Sequence, residues 1–287
     1  MKIYLDCLPC FLRQALVAAR RATGDERVHR DVIDRVASSI PTVPFEATPV
    51  ELGAIVHGIV REVTGVDDPY RETKRRDNER VCALLPRLRA RVNASSDPML
   101  TALQLATAGN IIDFGADVTI DLDRAIERTL TDGEGLADYP RLNEELASAG
   151  DVLYIGDNAG EIALDRLVVE QLVERGVRVR FAVRGRPIIN DVTFEDAVCV
   201  GMQDLAEIVT SGSEGPGTSL ARCDPAFVDL FERSSLILSK GQGNFEGLSD
   251  EEAPLFFLLT VKCPVVAREL GVEMGKTVLR ARTKRSS

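Results

Sequence analysis

The stretch of residues 152–183 constrains the fold more than any other part of the chain. Residues 152–155 form a short apolar run, residues 161–175 are amphipathic with helical spacing, and residues 177–183 form a second β-rich run. A strand, a helix and a strand in that order are the unit of a parallel sheet, because the crossover helix returns the chain to start a neighbouring strand in the same direction. The sequence therefore predicts an α/β fold with a Rossmann-like, three-layer, mostly parallel sheet.

Two later apolar runs extend this prediction. Residues 235–239 end abruptly at Lys240 and resemble a further buried strand, whereas residues 264–267 fit either a strand or the start of a helix. Short apolar runs carry no periodicity that separates these two states.

The first third of the chain has a different pattern. Between residues 10 and 91 the apolar residues recur at steps of three and four, as at Phe11, Ala15 and Ala19. This spacing is typical of amphipathic helices, and prolines and glycines mark the breaks between them. We therefore expect an N-terminal helical-bundle domain at residues 1–98 and an α/β domain at residues 99–287.

Composition excludes several classes of protein. Among 287 residues, 35 Lys and Arg face 45 Asp and Glu, so the net charge of -10 argues against a nucleic-acid binder. No stretch approaches the roughly 18 consecutive apolar residues of a membrane helix, and the first ten residues lack the charged and apolar regions of a signal peptide. We expect a cytoplasmic protein without a membrane partner, and the sequence leaves its oligomeric state open.

Polar residues follow the predicted strands at the points where the strands end. Asp157 and Asn158 come after the first strand, Asp191 lies in the connection after the second, and Lys240 closes the third. The carboxyl ends of parallel strands share one edge of a sheet, so these groups are expected to meet. Their hard oxygen atoms suit a divalent ion such as Mg²⁺ or Mn²⁺, and the free N–H groups of residues 159–161 could hold a phosphate oxygen.

Each of these signals also has a purely structural interpretation. Asp157 or Asn158 could simply cap the following helix, Asp191 could belong to a turn, and Lys240 could be an exposed strand end. The convergence of three such segments on one predicted edge favours a functional site.

The same segments resemble the signature blocks of the damage-control phosphatase family, also described as domain of unknown function 89. The resemblance lies in residues 156–161, 186–193 and 239–246. Residues 7–10, 68–74, 108–115 and 211–218 are similar to the prokaryotic, cysteine-bearing branch of that family. These motifs occur in order over nearly the whole chain.

This resemblance implies a metal-dependent phosphomonoester hydrolase that acts on small phosphorylated metabolites, such as sugar phosphates, phosphopantetheine-like compounds or nucleotide monophosphates. Asp157, Asn158 and Asp191 match the family's ligands for a divalent ion, which would be Mn²⁺, Mg²⁺, Co²⁺ or Ni²⁺. The positions that would contact substrate are Asn244, Gly243, Asn110, Arg71 and Lys74.

Roles in the reaction follow from the same resemblance. Lys240 would stabilise the charge on the transferring group, and Glu161 or Asp113 would position the water or supply a proton. A covalent phosphate on an aspartate such as Asp157 is the alternative to direct attack by water. The family's Arg-Thr-x-Lys motif has no clear counterpart, and Lys262 is the candidate replacement.

Other readings of the sequence compete with this one. Asp121 and Asp123 superficially suggest the aspartate pair of haloacid-dehalogenase phosphatases, but a helix cap is the preferred interpretation of Asp121. Cys7 and Cys10 have the spacing of a zinc or redox pair, although buried free thiols are favoured because no second pair or suitably spaced histidine exists. The rival functions are a non-catalytic metal- or metabolite-binding protein and, less favoured, a methyltransferase.

Overall fold

The computed structural model describes residues 1–108 and 136–282. Within these residues the chain forms twelve α-helices and six β-strands. The helices are α1 (Cys7–Ala22), α2 (Glu26–Ser39), α3 (Pro49–Thr64), α4 (Arg71–Cys82), α5 (Leu85–Asn93), α6 (Pro98–Ala108), α7 (Tyr139–Leu146), α8 (Glu161–Glu174), α9 (Phe194–Cys199), α10 (Pro225–Arg233), α11 (Gln242–Leu248) and α12 (Pro264–Leu270). The strands are β1 (Asp151–Ile155), β2 (Arg178–Val183), β3 (Glu207–Thr210), β4 (Ile237–Lys240), β5 (Leu255–Thr260) and β6 (Thr277–Ala281).

The six strands form one sheet in the order β3-β2-β1-β4-β5-β6. All neighbouring pairs are parallel except β5 with β6, which is antiparallel. The predicted α/β fold with a mostly parallel sheet is therefore confirmed. Every residue of β5 is buried, as expected for a parallel strand that is covered on both faces.

Sequence patterns identified β1, β2 and β4 but not β3, β5 and β6. The run that forms β5 is apolar throughout and has no alternation, so periodicity alone could not separate it from a buried helix. The ambiguous residues 264–267 begin α12, with Pro264 at the first turn of that helix.

The order of the strands reverses at β1. The chain leaves β1 through α8 and pairs β2 on one side, and it later adds β4 on the other side of β1. The connections that follow β1 and β4 consequently diverge and leave a crevice at the carboxyl ends of these two strands. This is where a ligand binds in open parallel sheets.

Two separate apolar clusters are found among the helices that precede the sheet. Helices α1, α2 and α3 pack around a cluster that contains Phe11, Val32 and Leu52. In contrast, Leu85 of α5 and Leu103 of α6 belong to the cluster that covers one face of the sheet. The expected domain boundary near residue 98 stays a prediction, and the packing adds that α5 already contacts α6 and α8 and belongs to their apolar cluster.

Local signals explain the limits of α3, whose first residue faces the crevice. Thr48 and Glu51 form a reciprocal capping box at its start, and Gly65 ends it with a left-handed φ of 67°.

None of the helices in the described residues combines the length and apolar character that a bilayer span requires.

Candidate functional site

Backbone hydrogen bonds join the connection after β1 to the connection after β2. The amide of Ala159 donates to the carbonyl of Asn190 at 2.8 Å, and the amide of Val192 donates to the carbonyl of Asp157 at 2.9 Å. Asn158 and Asp191 are therefore paired in an isolated antiparallel bridge. The main chain itself brings the three predicted ligand positions together.

Asp157, Asn158 and Asp191 line one cavity of about 550 Å³. The opposite wall comes from α1, and further lining comes from α11 and from the segment after β5. These parts of the lining include Cys7, Cys10, Arg13, Gln14, Gly243, Glu246, Lys262 and Cys263. The cavity thus lies between the helical region and the carboxyl edge of the sheet.

The side chain of Asn158 is oriented by two carboxylates. Its Nδ2 donates to Oδ2 of Asp157 at 2.8 Å and to Oε1 of Glu161 at 3.0 Å. The carbonyl oxygen of the same amide is left as the atom available to a cation. Glu161 is buried and does not line the cavity, so it orients Asn158 rather than facing a ligand.

Arg184 holds Asp191 in place. Its Nε donates to Oδ2 of Asp191 at 2.7 Å, and its two terminal nitrogens donate to Thr218 at 3.1 Å and Asn244 at 2.9 Å. The amide of Gly217 donates to the same Asp191 oxygen at 3.0 Å. Sequence reasoning missed Arg184, although a charged residue directly after the buried strand β2 was an available signal.

The electrostatics of the cavity favour a cation. Burial, followed by the neighbouring carboxylates of Glu161 and Asp191, raises the pKa of Asp157 well above its usual range, while Lys262 and Arg184 oppose the shift. Burial also raises the pKa of Asp191 against the effect of Arg184. Like charges held together at a buried place are relieved by a bound cation. The donor set, two carboxylates and an amide oxygen, fits a hard divalent ion.

The predicted metal site includes only two carboxylates and therefore depends on the amide of Asn158. No group of three or more His, Cys, Asp or Glu side chains within residues 1–108 and 136–282 is arranged to hold a metal ion. The predicted ligand set consists of the carboxylates of Asp157 and Asp191 and the amide oxygen of Asn158. That these three residues bind a metal ion stays a prediction.

Lys240 points away from the cavity, which revises its predicted role. Its side chain is fully buried, and Nζ donates to Oδ1 of Asp165 at 2.8 Å and to the carbonyl of Ala106 at 3.1 Å. The lysine that lines the cavity is Lys262, and its charge acts on Asp157. The geometry therefore gives Lys240 a structural position and leaves Lys262 as a lysine that lines the cavity near Asp157.

Asn244 is also buried, so it does not reach a ligand in the cavity. Its Nδ2 donates to the carbonyls of Gly156 at 3.0 Å and Lys240 at 2.7 Å, while its Oδ1 accepts from Arg184 and Thr218. Asn244 thereby ties the loop after β1 to the end of β4. The neighbouring Gly243 does line the cavity, as its predicted substrate contact requires.

Arg71 and Lys74 line a different cavity of about 830 Å³, whose lining also includes Arg184. Lys74 is buried between Asp68 at 3.2 Å and Asp196 at 3.1 Å. These two predicted substrate contacts thus lie in a different cavity from the predicted metal ligands, although the charge of Lys74 acts on Asp191. Asn110 and Asp113, together with Asp121 and Asp123, lie outside the described residues.

Two of the backbone amides that were expected to hold phosphate are already engaged. The amide of Ala159 bonds to Asn190, and the amide of Gly160 donates to Oδ1 of Asn78 at 2.6 Å. This expectation was wrong for both groups, because the loop uses them to pair with its neighbours.

All six cysteines lie in the described residues and are free of disulfide bonds. Cys7, Cys10 and Cys263 line the same cavity as Asp157 and Asp191. Burial is the largest cause that raises the pKa of Cys7. The expectation of buried thiols was wrong for Cys10, which is exposed, while Cys7 is half-buried. The choice between free thiols and a zinc or redox pair stays a prediction.

Comparison with known proteins decides the family. A sequence model of the damage-control phosphatase ARMT1-like domain matches residues 3–278, a range that includes every residue of the cavity described above. The chain belongs to this family. The resemblance inferred from the motifs is thus confirmed.

Members of the damage-control phosphatase family align with the chain over nearly its full length. A damage-control phosphatase of Archaeoglobus fulgidus is 35% identical over 97% of this chain and 98% of its own length. A damage-control phosphatase of Pyrococcus horikoshii is 33% identical over 97% of both chains. The crystal structure of a family protein from Pyrococcus horikoshii superposes with a TM-score of 0.90 at 32% identity, covering 99% of this chain and 100% of that one.

Proposed function

We propose that this protein is a divalent-metal-dependent phosphatase that hydrolyses small phosphorylated metabolites. The observation that carries the proposal is the convergence of Asp157, Asn158 and Asp191 on one wall of a cavity that Lys262 also lines. Membership of a family whose relatives are named damage-control phosphatases supports hydrolysis of phosphate esters on separate grounds.

Asp157, Asn158 and Asp191 would hold the ion, which we propose to be Mn²⁺, Mg²⁺, Co²⁺ or Ni²⁺. When bound, a divalent ion at this place supplies Lewis-acid stabilisation of phosphate oxygens. The protein contributes the frame: Arg184 fixes Asp191, Glu161 fixes Asn158, and the backbone bridge fixes their separation.

Lys262 would offset the negative charge of the phosphate. It lies close enough to Asp157 to act on its carboxylate, and it would take the charge-stabilising role that was expected of Lys240. A positive charge that is already positioned stabilises the transferring group without reorganisation during the reaction.

The volume of the cavity supports small substrates. About 550 Å³ falls within the roughly 300–1,000 Å³ of small-molecule sites and suits a sugar phosphate, a nucleotide monophosphate or a phosphopantetheine-like compound. The wall formed by Cys10, Arg13 and Gln14 of α1 would contact the part of the substrate beyond the phosphate.

The decisive experiment measures phosphate release from p-nitrophenyl phosphate and from a panel of sugar phosphates with each of the four ions. We expect release that depends on the added ion, and loss of that release in Asp157→Ala and Asp191→Ala with circular dichroism unchanged. Ion binding without release by any substrate would instead identify a non-catalytic binding protein. Activity near that of the wild type in either variant would mean that the ligand assignment is wrong.

A further inference from the structure

Glu246 is a carboxyl group in the same cavity, and it closes the block at residues 239–246 without having been given a role. It lies on α11 and is partly buried, and it lines the cavity together with Asp157 and Asp191. Its Oε1 accepts a hydrogen bond from Nε2 of Gln242 at 2.7 Å. None of the ion pairs found among residues 1–108 and 136–282 includes Glu246, although the charge of the N-terminus acts on its carboxyl group.

The position of Glu246 along α11 sets its distance from the predicted metal site. Helix α11 starts beside Asp157, because a side chain on Gly241 would overlap the Asp157 carboxylate. Glu246 is five positions after Gly241, which corresponds to about 7.5 Å along a helix axis. Gln242 and Gly243 line the cavity between them. A phosphate ester whose phosphate lies at Asp157 would extend its alcohol portion along this wall toward Glu246.

Several charged or titratable groups surround this carboxyl group. The amino group of Met1 lies near the backbone of the same helix, where it donates to the carbonyl oxygen of Glu246 at 2.9 Å. Charged or titratable side chains of the cavity lining come from two other places. The first is α1 with the segment that precedes it, and the second is the segment after β5. These side chains are Asp6, Cys7, Cys10 and Arg13 at the first place, and Lys262 and Cys263 at the second.

Burial dominates the titration of Glu246. It raises the pKa of Glu246 to about 7, against the hydrogen bond from Gln242 and the charge of the N-terminus. A carboxyl group with that pKa is largely protonated at slightly acid pH and still partly protonated at neutral pH. Such a group can donate a proton under physiological conditions, as general acids in enzymes do.

We propose that Glu246 is the general acid that protonates the leaving alcohol of the substrate. This inference rests on the proposed phosphatase function. The oxygen of water forms the new bond to phosphorus while the ester P–O bond breaks, and the electron pair of that bond stays on the alcohol oxygen. Glu246 gives its proton to this oxygen. The proton lost by the attacking water returns through solvent to restore the carboxyl group.

The test compares two leaving groups in Glu246→Gln. A sugar phosphate needs a proton on its departing oxygen, whereas p-nitrophenolate leaves without one. We expect kcat for the sugar phosphate to fall on the order of 10²–10⁴-fold, the usual contribution of a general acid. The kcat for p-nitrophenyl phosphate should change by less than about threefold on the same reasoning. Equal losses on both substrates, or no loss on either, would overturn the proposal.

The pH profile of the wild type provides a second readout that does not depend on folding of a variant. Activity on the sugar phosphate should fall as the pH rises through about 7, because the acid must be protonated. Activity on p-nitrophenyl phosphate should lack that limb, and a limb shared by both substrates would contradict the role. Glu251→Gln, a change just beyond α11 and outside the cavity lining, should behave as the wild type does. Release of phosphate from neither substrate by the wild type would overturn the proposed function as well.

Discussion

At the scale of single residues, the close approach of the Gly241 backbone sets the position of the Asp157 carboxylate, a predicted metal ligand. Gly241 has a φ of 82° and a ψ of 163°, a region that is essentially restricted to glycine, and it touches the Asp157 carboxylate. The carboxylate therefore rests against a bare backbone. The sequence showed a glycine at this place, but only the packing shows what it touches.

Gly241→Ala should displace Asp157 and weaken both stability and activity. The strained backbone costs about 1–3 kcal/mol, and a displacement of about 1 Å at a catalytic group costs on the order of 10² in rate. Urea unfolding and phosphate release measure the two effects. Gly24→Ala is the matched control, since no atom lies within 4 Å of the added methyl group. Equal behaviour of the two variants would contradict this account of Gly241.

The sequence predicted the positions of residues in the loops after the strands better than those of side chains that turn into the protein, and the roles of the loop residues stay a prediction. The sequence placed Asp157, Asn158 and Asp191 at one edge, and the structure brings them together. It could not show that Lys240 and Asn244 point into the protein, because the direction of a side chain at a strand end depends on neighbouring elements.

At the scale of elements, a buried polar cluster joins β4 to α8 and α6. Nζ of Lys240 bonds to Asp165 of α8 and to the carbonyl of Ala106 in α6, and the hydroxyl of Tyr154 donates to the same Asp165 oxygen at 2.8 Å. Burial lowers the pKa of Lys240, but Asp165 and Glu161 outweigh that effect, so the net pKa is raised. The pair fixes how α8 sits on the sheet below the loop that carries Asp157.

Lys240→Met should destabilise the fold by about 3–5 kcal/mol, because it leaves the buried Asp165 without its cation. Adding Asp165→Asn should recover part of the loss, since a neutral amide no longer needs a counter-ion. A double-mutant cycle by urea unfolding measures the coupling, expected at roughly 0.5–3 kcal/mol. Additive losses would mean that the two side chains do not act as a pair.

At the scale of the whole molecule, pH acts on the helical cluster through His57. This histidine is buried on α3, beside Gln14 of α1. Burial, followed by the charge of Arg61, lowers its pKa from 6.5 to about 4. The unfolded chain therefore takes up a proton before the folded chain does. The free energy of unfolding therefore does not depend on the protonation of His57 above about pH 6.5, and it decreases as the pH falls from 6.5 toward 4.

His57→Gln should flatten this dependence. Between pH 7.5 and 5 the wild type should lose about 2 kcal/mol more unfolding free energy than the variant, because each pKa unit is worth about 1.4 kcal/mol. Urea unfolding at both pH values measures the difference. Identical slopes in the two proteins would show that His57 titrates normally in the fold.

The overall architecture was predictable, since the strand–helix–strand pattern and the helical spacing are local signals. The strand order was not, because it depends on which apolar runs pair over long separations, as β4 does with both β1 and β5. The cavity between α1 and the sheet edge could not be predicted for the same reason.

That cavity has two walls of separate origin. The carboxylates belong to loops fixed by the sheet, whereas Cys10, Arg13 and Gln14 project from a helix whose other face is anchored in its own apolar cluster. Under the proposed function, mutations on the cavity side of α1 would change which substrates bind, while the loops that carry Asp157 and Asp191 keep their geometry. Selectivity and chemistry can therefore diverge independently in proteins built on this plan.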